Sequence, residues 1–261
     1  MTYRCALITG ASSGIGEAFA RALPKTTSLL LTGRDRARLS HLASELANAD
    51  RSVRSIAADL ATPEGRQTVI GFAVDQPVDL LINNAGVGWL GAVAENPPER
   101  ESEMAQLNMV APVEITRALL PGLLKRAQER SPSGNRAGLI FVASAAAFMP
   151  IPLFATYAAT KAFLLHYAEA LAAELSEAPI DVLALCPGAT RTRFFERAHI
   201  ARASLPQMHE PDRVAREGLQ ALGHRVVHIV GSGTYLATTA ARFLPRRLVA
   251  AAAERAMRRW Q

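Results

Sequence analysis

The chain has 261 residues, which suits one domain with a sizeable core. Hydrophobic residues make up 49% and charged residues 20%, a balance that excludes disordered and fibrous proteins. No apolar run reaches the roughly 18 residues that a membrane-spanning helix needs, and the N-terminus does not resemble a secretory signal. Cys5 and Cys186 each lie in an apolar run and form neither a disulfide framework nor a CxxC metal site. We therefore expect a cytoplasmic protein with two buried thiols.

The formal net charge of +6 comes almost wholly from the C-terminus. Residues 235–261 contain six arginines and one glutamate, a net charge of +5. A surface that binds DNA usually spreads its basic residues over one face of a domain. Because the excess charge is confined to a tail, we expect no nucleic-acid partner.

Short apolar runs alternate with longer helical patterns along the chain. Most of the runs are continuously apolar, which is typical of strands covered on both faces. Strands are predicted at 5–9, 28–32, 53–57, 78–82, 138–143, 180–185 and 226–230. Helices are predicted at 14–23, 36–46, 63–74, 99–128, 156–176 and 211–222.

This alternation predicts an α/β fold with a single domain. Its centre is a doubly wound parallel β-sheet, Rossmann-like, of about seven strands with helices on both faces. We expect residues 1–234 to form this domain, which the motifs described below assign to dinucleotide binding and catalysis, and residues 235–261 to form a helical basic C-terminal extension of it.

A glycine-rich turn follows the first predicted strand. Gly10, Gly14 and Gly16 are spaced as GxxxGxG, which differs from the GxGxxG fingerprint. Glycines still let the backbone approach a pyrophosphate, and the helix that follows directs its N-terminus at the anion. The position between strand and helix favours a dinucleotide site over a turn without a ligand.

The end of the second predicted strand bears on the choice of cofactor. An acidic residue at this point typically holds the ribose of NAD, whereas a nearby arginine accommodates the 2′-phosphate of NADP. Gly33 occupies the acidic position, Arg34 follows it, and Asp35 is expected to cap the next helix. The pattern favours NADPH/NADP over NAD, with a solvated surface arginine as the alternative for Arg34. Asp59, after the third strand, could accept a hydrogen bond from the adenine amine or only open a turn.

Further motifs follow the later strands. The segment NNAG at 83–86 follows the fourth predicted strand, and PGATRT at 187–192 follows the sixth. Tyr157 and Lys161 lie four residues apart on one face of a predicted helix. Ser144 ends the fifth strand, and Asn108 lies in the long helix before it. In order and spacing, these motifs and the glycine-rich turn resemble those of the short-chain dehydrogenase/reductase family over roughly residues 4–230.

The resemblance implies an NAD(P)-dependent oxidoreductase and a role for each motif residue. Tyr157 matches the general acid/base, and Lys161 matches the residue that binds the nicotinamide ribose and lowers the tyrosine pKa. Ser144 matches the hydroxyl that holds the substrate carbonyl, and Asn108 matches the member that keeps a water in the proton relay. The implied cofactor-binding residues are Gly10, Ser12, Ser13, Gly14, Ile15, Gly16, Arg34, Asp59, Leu60, Asn84, Ala85, Gly86, Tyr157, Lys161, Pro187, Gly188, Thr190 and Thr192.

Proton transfer explains why these side chains are needed. A free tyrosine has a pKa of about 10, too high for efficient proton transfer near neutrality. Lowering it to about 7 requires roughly 4 kcal/mol of phenolate stabilisation. One ammonium about 4 Å away supplies about that much at an effective dielectric near 20.

The predicted substrate contacts come from the segments 87–90, 145–154 and 194–205. They include Trp89, Phe148, Phe154 and Phe194, with few acidic groups nearby. The alternative is that about half of these aromatic residues belong to the core. An apolar pocket here favours a bulky hydrophobic ketone or aldehyde. The six histidines have no metal-ligand spacing, so we expect no metal.

Three functions are compatible with these residues. The leading one is an NADPH-dependent carbonyl reductase, reversible as an alcohol dehydrogenase, and a narrower alternative is 3-oxoacyl reduction in lipid or polyketide metabolism. The third is a dinucleotide-sensing protein without turnover. The complete set of Asn108, Ser144, Tyr157 and Lys161 disfavours a sensor, which does not need a serine and a tyrosine at this spacing.

The C-terminal extension departs from the family pattern, in which many members end with a strand and an Asp-Gly-Gly turn. The tetramer interface that uses that turn is therefore in doubt, while the paired long helices could form a dimer, and we expect a homo-oligomer of one of these two kinds. Residues 246–261 predict a helix with two distinct faces. One face holds Leu248, Ala252, Arg255 and Arg259, and another holds Val249, Ala253, Ala256, Met257 and Trp260.

Two hypotheses follow for this tail helix. It packs on its own domain or on a partner subunit, or it binds anionic membranes weakly and in a salt-sensitive way. The second hypothesis places the protein peripherally at a membrane.

Overall fold

The computed structural model describes residues 3–130, 136–200 and 208–259. Its centre is one sheet of seven parallel strands in the order β3-β2-β1-β4-β5-β6-β7. The strands are β1 (Cys5–Thr9), β2 (Ser28–Gly33), β3 (Val53–Ala57), β4 (Leu80–Asn83), β5 (Ala137–Val142), β6 (Ile180–Cys186) and β7 (Val227–Ile229). The order reverses between β1 and β4, and a doubly wound sheet binds its ligand at such a reversal.

Helices cover both faces of the sheet, as predicted. They are α1 (Gly14–Ala22), α2 (Arg36–Leu46), α3 (Pro63–Ala73), α4 (Pro98–Ala105), α5 (Ala111–Arg130), α6 (Ala155–Glu174), α7 (Phe194–Arg197), α8 (Pro211–Ala221), α9 (Ser232–Phe243) and α10 (Arg246–Met257). Buried side chains of α1, α2 and α8 form one core layer, and those of α3, α5 and α6 form the other. The continuously apolar strands lie between these two layers.

The long helix predicted at 99–128 is divided in the structure. A π-helical turn, Gln106–Val110, separates α4 from α5 and contains Asn108. A π turn inserts an extra residue into the helical repeat, and such turns occur frequently at functional sites. The helical pattern predicted at 99–128 continues through the turn, so periodicity alone predicts one helix.

The C-terminal extension is helical, as predicted, and consists of two helices. α9 starts at Ser232, three residues before the predicted start of the extension, and α10 starts directly after Pro245. Val249 and Met257 of α10 are 7% and 5% exposed, so this helix packs on its own domain. Trp260, predicted on the same helix face, lies outside the described residues.

Two further expectations concern cysteines and membrane spans. Cys5 and Cys186 are buried free thiols, and burial raises the pKa of each to about 12. By length and composition, one stretch of the described chain, Pro98–Glu129, could cross a membrane, with a mean hydropathy of 1.2 in its best window. Part of this stretch, including Ile115, Leu119 and Leu123, is buried in the core layer beneath the sheet.

Candidate active site

A cavity of about 460 Å³ lies at the carboxyl ends of the strands. Among its lining residues are Ser144, Tyr157 and Lys161. It also contacts all the predicted cofactor residues except Gly16. The structure thus brings the glycine-rich turn, the NNAG segment and the Tyr-Lys pair to one place.

The glycine-rich turn has a backbone that only glycine adopts without strain. Gly10 and Gly14 have φ values of +67° and +63°. A Cβ atom on Gly10 would lie 2.9 Å from the Ala85 Cα atom. Gly16 is packed beneath the turn, where a Cβ would overlap the Gly10 carbonyl oxygen. The bare backbone at the start of α1 forms the cradle that the pyrophosphate of a nicotinamide dinucleotide requires.

Thr9 fixes the NNAG segment against this turn. Its hydroxyl oxygen accepts hydrogen bonds from the backbone N–H groups of Asn84 and Ala85, at 2.9 and 3.0 Å. The Asn84 side chain in turn donates to the Thr9 carbonyl oxygen at 2.8 Å. Thr9 was not among the predicted site residues; its position at the end of β1, directly before Gly10, is the signal that could have found it.

The adenosine end of the cavity contains Arg34, Asp35 and Asp59. Asp35 caps α2 by accepting from the Arg38 N–H, as predicted. Arg34 is not simply solvated: its guanidinium donates to a Glu103 carboxylate oxygen at 2.8 Å. Asp59 accepts from the Ala61 N–H, which is the turn role weighed as its alternative, and it also lines the cavity.

Tyr157 is 8% exposed and lies near the start of α6. Phe154 stacks on its ring at 4.3 Å between centroids, and Phe194 lies at 5.2 Å. Burial raises the pKa of Tyr157 to about 12, while a hydrogen bond with Ser144 acts in the opposite direction. In the protein alone the desolvation of the phenol therefore outweighs the groups that favour the phenolate.

Lys161 is equally buried, and its ammonium donates to the Val142 carbonyl oxygen at 2.9 Å. Burial lowers the pKa of this lysine to about 8. Its Nζ atom lies 5.8 Å from the centre of the Tyr157 ring. The lowering of the tyrosine pKa by Lys161 stays a prediction.

Asn108 lies just outside the cavity wall and positions its neighbours. Its side-chain oxygen accepts from the Val87 N–H, and its amide donates to the Val87 carbonyl and to the Thr160 hydroxyl. A Cβ atom on Gly86 would lie 3.2 Å from both the Asn108 oxygen and the Lys161 Nζ atom. The glycine of NNAG thus allows the asparagine and the lysine to approach the same backbone.

The opposite end of the cavity is apolar. Phe154 and Phe194, two of the predicted substrate contacts, are in its wall. The rings of Trp89 and Phe148 lie elsewhere: Trp89 packs between His199 and Arg100, and Phe148 lies beneath Arg242. These two aromatics match the alternative of packing residues more closely than that of substrate contacts.

The C-terminal helix completes this apolar end. Ala253, Ala256 and Met257 of α10 line the cavity, and Met257 shares a buried cluster with Phe154 and Tyr157. These residues belong to one of the two predicted helix faces, which is now identified as the inward face. The sequence pattern alone could not indicate that this face covers the active site.

The segment after β6 closes the nicotinamide end. Pro187, Gly188, Thr190 and Thr192 line the cavity, and a Cβ on Gly14 would lie 2.9 Å from a methyl group of Thr192. Residues 201–205 of the predicted substrate segment lie outside the described residues. Among residues 3–130, 136–200 and 208–259, no cluster of three or more His, Cys, Asp or Glu side chains could hold a metal ion.

Comparisons with known proteins agree with this geometry. Residues 4–202 match the family model for short chain dehydrogenase. A short-chain dehydrogenase from Sphingobium yanoikuyae, solved in complex with NADPH, is 32% identical with a TM-score of 0.77, covering 91% of this chain and 93% of that one. The bulky-bulky ketone specific alcohol dehydrogenase from Comamonas testosteroni is 28% identical with a TM-score of 0.73, covering 93% of each chain.

One sequence relative is itself named for a different substrate. The very-long-chain 3-oxoacyl-CoA reductase of Phaeosphaeria nodorum is 34% identical over 68% of this chain, which spans about half (52%) of that protein. The matched family model covers most of the described domain, from β1 to the segment after β6. The chain therefore belongs to the short-chain dehydrogenase/reductase family, whose members are nicotinamide-dependent oxidoreductases.

Proposed function

We propose that this protein reduces a bulky hydrophobic ketone or aldehyde with NADPH, and oxidises the corresponding alcohol in reverse. The observation that carries the proposal is the position of Ser144, Tyr157 and Lys161 in the wall of one cavity. These three side chains lie between a glycine cradle and an apolar wall.

When bound, the nicotinamide supplies a hydride to the carbonyl carbon. The Tyr157 hydroxyl gives a proton to the carbonyl oxygen, and the Ser144 hydroxyl donates a hydrogen bond that strengthens as negative charge develops there. Because burial keeps Tyr157 protonated, it is ready to act as an acid in the direction of reduction. The stacked Phe154 ring holds the phenol in one orientation.

Lys161 returns the proton to Tyr157 through a water that Asn108 holds. A lysine with a pKa of about 8 can lose and regain a proton near neutral pH, unlike an exposed lysine. We assign Lys161 to the nicotinamide ribose and to proton supply, and Asn108 to holding the relay water beside Val87. The buried hydrogen bonds of Asn108 support a fixed position for this group.

NADPH is the proposed cofactor, with NAD the weaker alternative. The cradle at Gly10, Gly14 and Gly16 holds the pyrophosphate, and Arg34 holds the 2′-phosphate. Glu103 must then release Arg34, since this carboxylate already occupies its guanidinium. Glu103 also pairs with Arg100 and can keep that partner when Arg34 turns to the phosphate.

The apolar end supports a bulky substrate. Its wall combines the Phe154 and Phe194 rings with two alanines and the flexible side chain of Met257. The name of the Comamonas testosteroni neighbour supports a bulky ketone. The name of the Phaeosphaeria nodorum relative supports the alternative, a 3-oxoacyl thioester, whose long chain would follow the same wall.

Absorbance of NADPH tests the proposal. Turnover is measured with aryl and branched ketones, aldehydes and 3-oxoacyl thioesters of increasing length. We expect Tyr157→Phe to retain NADPH binding, since the ring is kept. Its kcat should fall by a factor on the order of 10²–10⁴. Tyr167→Phe, a half-buried tyrosine of the same helix, is the matched control. NADPH binding without turnover of any carbonyl would favour the sensor, and near-normal kcat in Tyr157→Phe would remove its assigned role.

We further infer a cytoplasmic homo-oligomer, either a dimer or a tetramer. The exposed Phe163 ring on α6, 38% accessible and stacked on Tyr167, supports a subunit contact along this helix. Size-exclusion chromatography of Phe163→Ser against wild type tests this assignment.

A further inference from the structure

Five large hydrophobic side chains are exposed on the C-terminal helix pair. Tyr235, Leu236, Phe243, Leu244 and Leu248 have exposed fractions of 54%, 69%, 85%, 53% and 56%. These five residues are called the C-terminal apolar surface below. Four other large hydrophobics of the described residues are exposed, and of these only Val93, at 54%, is exposed to this extent. Clustered exposed apolar groups mark an interaction site, whereas single ones need no explanation.

The surface is the outer face of ordered helices. Leu236 and Phe243 lie seven residues apart and so share one side of α9, while Thr238 on the opposite side is buried. Leu244 joins the two helices, and Leu248 lies in the first turn of α10. The next residue, Val249, is buried, so α10 directs one face inward and the other outward.

Arginines surround these apolar side chains. Arg242, Arg246 and Arg247 are all exposed and lie within or beside the junction of α9 and α10. Arg255 is exposed on the same side of α10 as Leu248. The single carboxylate of this helix, Glu254, is already bound to Arg258.

The charge pattern selects between the possible occupants of this surface. Two copies of the chain meeting here would bring their arginines together without carboxylates to balance them. An anionic lipid surface instead accepts both components: lipid phosphates pair with the guanidinium groups, and the Phe243 and leucine side chains enter the boundary between headgroups and acyl chains.

We propose that the C-terminal apolar surface docks this protein onto anionic lipid bilayers. The inward face of the same helix, with Ala253, Ala256 and Met257, lines the active-site cavity. Docking therefore places α10, which covers the cavity, between the lipid and the active site. This placement gives an apolar substrate a path from the lipid to the site, a consequence that rests on the proposed function. The docking itself does not depend on any reaction.

The test is co-sedimentation of the full chain with vesicles. We compare phosphatidylcholine vesicles with vesicles that also contain phosphatidylglycerol, at low and high salt. The protein is expected to bind only the anionic vesicles, and high salt should release it. Arg246→Gln/Arg247→Gln should weaken binding by about fivefold for each arginine removed. Arg216→Gln/Arg225→Gln, which removes two exposed arginines elsewhere, should leave binding as in wild type apart from a small long-range effect.

A second pair of variants separates apolar insertion from charge. Phe243→Ser/Leu244→Ser should lose binding. Val93→Ser should keep it, because Val93 is 54% exposed, about as much as Leu244, but is distant in sequence. Thermal stability and NADPH binding verify that each variant is folded. The proposal is wrong if the wild-type protein does not bind anionic vesicles. It is also wrong if Phe243→Ser/Leu244→Ser binds them as well as Val93→Ser does. A dimer that Phe243→Ser/Leu244→Ser dissociates, with no vesicle binding by wild type, would assign the surface to a second copy instead.

Discussion

Burial shifts the pKa values of the two central side chains in opposite directions. It raises the pKa of Tyr157 to about 12 and lowers that of Lys161 to about 8, so desolvation favours the neutral form of each. A buried ammonium held by one carbonyl oxygen costs stability, and proteins retain such groups where function needs them. The site is therefore expected to be a local source of instability near neutral pH.

Lys161→Met tests this cost through its dependence on pH. The unfolded lysine has a pKa near 10.5 and the folded one about 8, so between these values the unfolded chain binds more protons and wild-type stability rises with pH. The methionine variant lacks this contribution. Its free energy of unfolding relative to wild type should be highest below pH 8 and fall by on the order of 3 kcal/mol as the pH approaches 10.5.

Urea unfolding across that range measures the difference, with Lys25→Met at an exposed position as the control. The methionine variant should also lose turnover. A stability difference that does not change with pH would mean that Lys161 is not desolvated in the folded protein.

Arg34 and Glu103 give a second test at the residue scale. Arg34→Ala should lower kcat/KM for NADP relative to NAD by roughly tenfold or more, since a charged hydrogen bond is worth about 1.5–3 kcal/mol. Glu103→Gln should change the ratio in the opposite direction, because it releases the guanidinium from its carboxylate. Arg36→Ala, an exposed neighbour outside the cavity, should change nothing. Identical ratios in all three variants would make Arg34 a surface residue.

Most helices and strands of this fold follow closely from local sequence. Short and mostly apolar runs located all seven strands to within two residues at each end, because strands covered on both faces need no polar alternation. Asp35 and Pro63 likewise marked helix starts through their backbone chemistry. The π-helical turn at Asn108 was not predictable, since it depends on hydrogen bonds to Val87 and Thr160, which are distant in sequence.

The inward face of α10 leads to a prediction about substrate size. Ala256→Leu adds three carbons to the cavity wall and should lower kcat/KM for the bulkiest substrate by at least tenfold, while the smallest ketone is spared. Ala252→Leu makes the same change on the exposed face of the same helix and should have no effect. The ratio of kcat/KM between large and small ketones measures the difference. An equal ratio in both variants would place the substrate away from α10.

At the scale of the whole molecule, the cofactor end and the apolar end of the site differ in how far they can be predicted from the sequence. The cofactor end comes from turns that directly follow β1, β2 and β4, and each turn carries its own glycine or asparagine signal. The apolar end depends on a helix from the last residues of the chain, which reaches the cavity only through tertiary packing. Its alanines carry no chemical signal, so sequence indicated two faces but not which one meets the substrate.

Removal of α10 separates these two halves of the site. A chain that ends at Leu244 keeps all the proposed cofactor residues and should still bind NADPH with near wild-type affinity. It loses the burial of Val249 and Met257, each worth about 1.5–3 kcal/mol before the ordering entropy of the helix is subtracted. We expect a Tm lower by several degrees, greater binding of a hydrophobic dye at the uncovered cluster around Phe154 and Phe195, and a raised KM for bulky ketones.

Fluorescence titration with NADPH, thermal unfolding and steady-state kinetics measure these effects of removing α10. Met257→Ala in the full chain separates the contribution of the side chain from that of the helix. Loss of NADPH binding on truncation would instead show that α10 supports the whole domain, and an unchanged KM would show that the cavity needs no C-terminal cover.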